Sequence, residues 1–367
     1  MLIMLVGSVG LRVVDVWYYR DHERVVRHLG LRGAGVRDSY YRKFDLIFAA
    51  FPFVWSWCDI AGLTAIALRL DHALAYIALV VVAGTRFRAL QEAGHTAVHY
   101  GLCRQRRWQW ALSNVLFQYP CFKPDMSHRY ITHVRQHHHH ANEPGIDPNV
   151  VRFTELGFLP GISARRFDYM LFHPWTPRGI VETLSLITTG ATRNHGFLGA
   201  VVRTLVVLLT VTAFVWCLGW LGLVVGYVIP MLTTYPMYSW ISLLAEHRWF
   251  VECQETSHFA RECVNGRPTA YRGILGWLVK HGIFPATDHY HLAHSLYPHI
   301  RWNHIAAVDR VLTARDPRYG KYASVGLFWQ EGETPSALSE LRARMTSGQA
   351  TDLAPWATSL IKRETCI

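Results

Sequence analysis

TLVVLLTVTAFVWCLGWLGLVVGYVIPMLTTYPMYSWISLLA, residues 204–245, contains no Asp, Glu, Lys, Arg or His over 42 positions. One bilayer crossing takes about 20 residues. The stretch therefore predicts two spans, divided at Gly219-Trp220, near 199–219 and 221–244. Upstream, Leu46 to Leu68 is a second apolar run, interrupted only by Asp59. A short break at Arg69-Leu70-Asp71-His72 leads into Ala73–Thr85, and the helical pattern continues past Arg86 and Arg88 towards His99. Long basic side chains near a span's end can reach the headgroups, and these two arginines are expected to do so. The predicted fold is all-α and integral to the membrane. It has four transmembrane helices in two hairpins, near 46–68, 73–99, 199–219 and 221–244.

Composition agrees with that class. Of 367 residues, 51% are hydrophobic and 17% charged, against roughly 25% charged in soluble domains. A disordered chain needs the opposite balance. The net charge of +11 has a topological source. Lys and Arg number eight in residues 1–43, thirteen in 86–197 and fourteen in 248–367, but only one in the two turns together. By the positive-inside bias, both termini and the central segment are expected to be cytoplasmic. No nucleic-acid recognition motif accompanies the charge. The seven cysteines are scattered without a CxxC pair, against a disulfide framework or a Cys-based zinc site. Met1–Gly10 is apolar but lacks the basic start and small-residue cleavage site of a signal peptide. An interfacial helix running to about His28 is expected instead. The chain divides into an N-terminal segment (1–43), a membrane domain (44–320) and a cytoplasmic tail (321–367). The tail carries a soluble helix from about Thr334 through Met345 and a loose end.

The 21 histidines require a chemical explanation. His95 and His99 stand at i and i+4, on one helix face. His133, His137 and His138 follow, then His139, His140, Asn142 and Asp147-Pro148. On an α-helix His133 and His137 share a face and His138 points about 100° away, which suits two metal ions. His291 and His294 are again one turn apart, with His289 before them and His299 after Tyr297-Pro298. His247 stands just past the last apolar run. At 1.5 Å per residue, His95 and His99 lie roughly 33 and 39 Å from Ala73, and His247 roughly 39 Å from Leu221. A hydrocarbon core is about 30 Å thick. Two spans thus deliver histidines to one level, on the side that holds the other clusters.

The order HxxxH, HxxxHH, then HLxH before Tyr-Pro resembles the membrane-bound fatty acid desaturase superfamily of diiron desaturases and hydroxylases. Asn142, Asp147-Pro148 and Glu246-His247 strengthen the likeness, which runs from about Leu46 to Leu312. The resemblance implies a four-helix membrane bundle under a cytoplasmic cap holding two iron ions. Their ligands would be His95, His99, His133, His137, His138, His247, His291 and His294, with Asn142 and Asp147 orienting or structural. One position departs from the family: box three is usually HxxHH, and here the last residue is Ser295. Either His289 or His299 replaces it, or one iron keeps an open position. Gln91-Glu92 also stands where some relatives carry a further histidine.

The implied reaction is O₂-dependent desaturation of a fatty acyl or related lipid chain, with hydroxylation on the same scaffold as the alternative. Trp108, Trp110 and Phe117 are candidates for lining an apolar substrate tunnel. The chain has no CxxCH haem motif, no cysteine set for an iron–sulfur cluster and no GxGxxG flavin fingerprint. Electrons would come from a separate ferredoxin- or cytochrome-type donor. A third reading, a membrane metal-binding or transport protein, is disfavoured because transporters place ligands near the midplane, whereas these clusters lie at one end.

Overall fold

The computed structural model describes residues 2–30, 40–193, 196–330 and 332–347. The end of the tail, expected to be loose, lies outside the described residues. Most of the described residues are helical. Three helical stretches have the length and apolarity to cross a membrane: Asp45–Leu70, Ala73–Val98 and Gly196–Glu246. The first contains α2 (Phe51–Leu70), which ends where Asp71 takes a left-handed conformation, φ 43°. The His72 ring then accepts a hydrogen bond from the Leu74 amide and starts α3 (Ala73–Val98). This is a helix–turn–helix at the predicted break.

The third stretch spans 51 residues. Within it α4 (Gly196–Leu223) is not straight, because Gly219 has φ 70° and ψ 176°, outside helical values. In an unbroken helix Phe214 and Tyr227 would sit roughly 20 Å apart along the axis. Their ring centroids are 5.4 Å apart. The chain therefore doubles back at Gly219, and a residue without Cβ suits that backbone. α5 (Thr234–Glu246) completes the return. Only 11% of the most apolar window is buried inside the protein. Trp216, Trp220 and Leu209 face outward, an apolar surface that lipid would cover.

Close helix approach here depends on small residues. A Cβ on Gly226 would collide with Thr64, and one on Gly84 with Thr234 and Tyr238. Such small-residue contacts let backbones meet where lipid removes the hydrophobic driving force.

Several expectations change. The N-terminal segment is not one interfacial helix to His28. Helix α1 (Leu2–Tyr18) stops, and a short second helix covers His22–Val26. α1 runs antiparallel along α2: Leu5 lies against Gly62, Ser8 donates to Asp59 (2.5 Å), and Tyr18 stacks on Phe48 at 4.0 Å. Asp59, the lone charge of that apolar run, is paired by Arg12 and by Arg86 at 3.4 Å. Arg88 does not reach outward either. It is 1% exposed and held inside by carboxylates, because a buried guanidinium needs paired charge more than it needs water. A two-stranded parallel ladder, Thr269–Ala270 with Ser324–Val325, interrupts the all-α design. The tail helix is present as Ala337–Ser347, packed by Leu338, Leu341 and Met345 into a core with Trp240 and Trp249.

Gly226→Val should overpack the α2–hairpin contact at a cost of about 1–3 kcal/mol, lowering the melting temperature of detergent-solubilised protein. Gly10→Ala, with nothing within 4 Å of the added carbon, should leave it unchanged. Equal melting temperatures for all three proteins would refute the close approach.

Candidate metal centre

α3 and α5 lie side by side and point the same way. Thr234 Oγ1 donates to the Val80 carbonyl (2.8 Å), Ser239 Oγ to Gln91 Oε1 (2.8 Å), and Arg88 Nη2 to Ser242 Oγ (2.7 Å). His95 stands seven residues beyond Arg88 and His247 five beyond Ser242, so the two helices deliver their histidines at one height. His99 and His247 are the residues that end those helices.

Eight imidazoles meet there in two groups. His95, His99, His138 and His294 form one; His137, His247 and His291 form the other, with ligand nitrogens in each group within 4.8 Å of one another. His133 joins the first: its Nε2 lies 2.7 Å from His95 Nε2 and 3.2 Å from His138 Nε2. His294 Nε2 is 3.0 Å from His95 Nε2. In the second group His247 Nε2 is 3.2 Å from His137 Nε2 and 3.1 Å from His291 Nε2.

The partition differs from the expected one. Tyr130–His138 is π-helical, not α-helical. Its i→i+5 pattern aligns His133 with His138, five apart, and turns His137 towards the other group. His291 and His294 also divide, from the short helix His291–Leu296. Boxes two and three each supply both groups, whereas box one supplies one.

Hydrogen bonds behind the rings fix their tautomers. Glu92 Oε2 lies 3.0 Å from His95 Nδ1, and both Asp147 oxygens lie 3.1 Å from His137 Nδ1. A carboxylate accepts, so Nδ1 carries the proton and Nε2 presents a lone pair inward, the arrangement that orients metal-ligating histidine. Asp147 is itself held by the Asn142 amide (3.1 Å) and caps the next helix at Asn149 N (2.9 Å). Asn142 sits at φ 68°, a conformation asparagine tolerates better than most. Its side chain ties the Arg248 carbonyl, Asn265 and the Phe250 amide together.

Electrostatics favour neutral rings. Burial first, and neighbouring imidazoles next, push His99, His133, His138, His247, His291 and His294 well below the ordinary histidine range. Burial would lower His137 as well, but the Asp147 carboxylate outweighs it and raises the ring. Convergent neutral nitrogens with no donor between them, and a buried His99 Nε2 without any hydrogen-bond partner, fit a bound cation. An all-imidazole set suits iron, zinc, copper or nickel.

A carboxylate layer that sequence reading left unassigned lies beneath. Arg88 pairs with Glu92 and with Asp288 (2.6 Å), and Ser242 Oγ donates to Asp288 Oδ2 (3.0 Å). Asp288 lies beside His95 and Glu92 on one side and His291 and Glu246 on the other. It is presented by Ala286 (φ 55°) and Thr287 (φ 64°), a strained approach of the kind found at functional sites. The available signal was Arg88 itself, a charge inside an apolar helix.

Neither proposed replacement for the missing family histidine joins a group. His289 packs its ring on Tyr290 at 4.0 Å, and both its nitrogens are buried without partners. His299 lies against Tyr40. Ser295 is buried, with no hydrogen-bond partner for its hydroxyl.

A cavity of about 240 Å³ opens against His95 and His133. Phe117, Leu186, Ile187, Met231 and Trp240 form its apolar wall. Of the aromatics expected to line a tunnel, only Phe117 does so. Trp108 is 56% exposed, and Trp110 stacks on Tyr100.

His138→Ala and His291→Ala should each remove one of about two metal ions per chain, since each deletes a nitrogen from a different group. Asp147→Asn keeps the ligands and should weaken affinity by about 10–100-fold. Elemental analysis of purified protein checks all three; full occupancy in His138→Ala would contradict the first grouping.

Residues 71–325 match the fatty acid desaturase family. The chain is also 25% identical, over 317 residues, to a protein of Bradyrhizobium elkanii named dihydrorhizobitoxine desaturase; the match covers 82% of this chain and 86% of that one. Two facing imidazole groups at the end of an apolar helical bundle are what the histidine boxes of such a family would build, and the chain belongs to the fatty acid desaturase family.

Proposed function

We propose that this chain is an integral-membrane diiron oxidoreductase that desaturates a fatty acyl or related lipid chain with O₂, using electrons from a separate ferredoxin- or cytochrome-type donor. The observation that carries the reading is the convergence of eight imidazoles into two adjacent groups beside a partly apolar cavity. The relative's name, a desaturase, supports the same reaction type. In the balanced reaction a –CH₂–CH₂– unit, O₂, two electrons and two protons give –CH=CH– and two waters. Iron held by the two groups would supply the activation of O₂ that attack on an unactivated C–H bond demands.

The rest falls to the chain's own residues. Glu92 and Asp147 keep His95 and His137 aimed inward. The Arg88–Asp288 pair ties the segment before His291 to α3. Phe117, Leu186, Ile187 and Met231 hold an aliphatic segment beside His95 and His133 and keep bulk water from it.

The topology we propose has four principal spans: α2, α3 and the two arms of the hairpin bent at Gly219. The histidines and the C-terminus lie in the cytoplasm. Lys and Arg cluster on the histidine side of this arrangement, as the positive-inside bias requires. Because α1 runs antiparallel to α2, its uncharged start would point towards the far side, which revises the expectation of a cytoplasmic N-terminus, while Arg20, Arg24 and Arg27 follow on the histidine side.

Expression in a host with reducing partners should yield a lipid two mass units lighter than its precursor, lost in His294→Ala; a product sixteen units heavier would establish the hydroxylase instead. A reporter inserted at Gly219 should read as external and one after Ile367 as cytoplasmic. The same side for both would overturn the hairpin.

A further inference from the structure

The cavity beside the first histidine group is not a simple apolar tunnel. Lys123, Arg129 and Arg152 all line it, together with Glu92, Glu182 and Glu246. Glu92 and Glu182 have direct ion-pair partners of their own. Glu182 takes a bidentate pair from Arg152 (2.7 and 2.8 Å) and faces His173 (2.8 Å). Glu92 is held by Arg88 and His95. Glu246 has Arg88 at 3.9 Å, a guanidinium that it shares with Glu92 and Asp288, and competes with Asp288 for the single Ser242 hydroxyl proton.

Two cations are left over. Among the described residues no carboxylate pairs with Lys123, whose ammonium lies 4.9 Å over the Tyr235 ring. Arg129 makes no ion pair among them either, and its Nε is buried without a hydrogen-bond partner. Both side chains are partly exposed towards the cavity, and two like charges facing one space favour an anion between them. Burial, with Arg129 and Arg152 adding to it, pulls Lys123 down to about 8, so it still carries charge at neutral pH. Arg129 stands four residues before His133, directly ahead of the π-helical segment. Two cations without a direct ion pair therefore face the same space as the histidines.

Resting on the reading of this cavity as the substrate site, we infer that Lys123 and Arg129 bind an anionic head group joined directly to the chain being oxidised. The substrate is then a compact acid, a carboxylate or a phosphate, that enters head first. It is not a neutral ester or thioester whose carrier stays outside. The apolar wall of Phe117, Leu186, Ile187 and Met231 takes the adjoining methylenes, and the head group fixes which carbons lie beside His95 and His133. A cavity of about 240 Å³ suits such a ligand, being below the roughly 300–1,000 Å³ common for drug-sized ones.

The test is calorimetric titration of the zinc-loaded full-length protein, which binds without turnover, in phosphatidylcholine nanodiscs. Octanoate, octyl phosphate and methyl octanoate are the probes. At least one of the two acids should bind about tenfold or more tightly than the ester, as a charge-assisted contact predicts. The tighter acid tells carboxylate from phosphate. Lys123→Met and Arg129→Leu should each abolish that advantage, whereas an acid merely ligating zinc would be indifferent to them. An ester that binds as tightly as both acids in the unmodified protein overturns the inference without reference to any variant. So does acid binding that survives both substitutions at full metal content. Binding as expected with no desaturated product in cells would instead remove the proposed reaction and leave the anion site standing.

Discussion

Eight imidazoles share one small buried volume only because their nitrogens can point at something positive. Nitrogens 2.7–3.2 Å apart, on rings that are buried or, at His133 and His294, partly buried, repel unless a proton or a metal ion stands between them. Glu92 and Asp147 decide which. By taking the Nδ1 protons of His95 and His137, they leave lone pairs on the inner nitrogens. The rest of the cap serves those two carboxylates. Asn142 holds Asp147 and, through Arg248 and Phe250, the strand of chain that follows His247. Arg88 holds Glu92 and, through Asp288, the chain that leads to His291. Each link joins a different part of the sequence, so the ligand groups are assembled from the outside inward.

Much of this was legible in the sequence, for identifiable reasons. The hairpin at Asp71-His72 and the reversal at Gly219 follow from the lengths of apolar runs, a constraint the bilayer imposes on every residue at once. The eight histidines stood out because their spacing is helical and their calculated depths agree. Their division into groups did not. It depends on a π-helical turn at Tyr130–His138, and nothing in that stretch distinguishes i→i+5 from i→i+4 hydrogen bonding before the ring partners are known. Arg88 was read as a residue reaching for the headgroups because its partners, Glu92 excepted, come from Ser242 and Asp288, far along the chain. The lengthwise packing of α1 on α2 was hidden for a similar reason: Ser8, Arg12 and Asp59 are unremarkable until they meet.

The cavity combines the two regimes that membrane oxidases must reconcile. One wall is aliphatic and aromatic, continuous with a bundle whose outer surface is suited to lipid. The other carries Lys123 and Arg129, which make no direct ion pair among the described residues. A site of the first kind alone would grip any chain with little regard for register, since each methylene is worth about the same wherever it sits. A fixed charge at one end sets the register and so the carbon presented to the histidines. The family gives an oxidoreductase of the desaturase and hydroxylase kind, and in the proposed reading these few side chains would select among substrates.

The two imidazole groups predict two separate metal positions, one among His95, His99, His133, His138 and His294 and the other among His137, His247 and His291. Diffraction from crystals of iron-loaded protein, collected on both sides of the iron absorption edge, addresses this directly. Two anomalous peaks are expected, one within each group. A single peak shared by both groups, or iron bound at His139 and His140 instead, would contradict it.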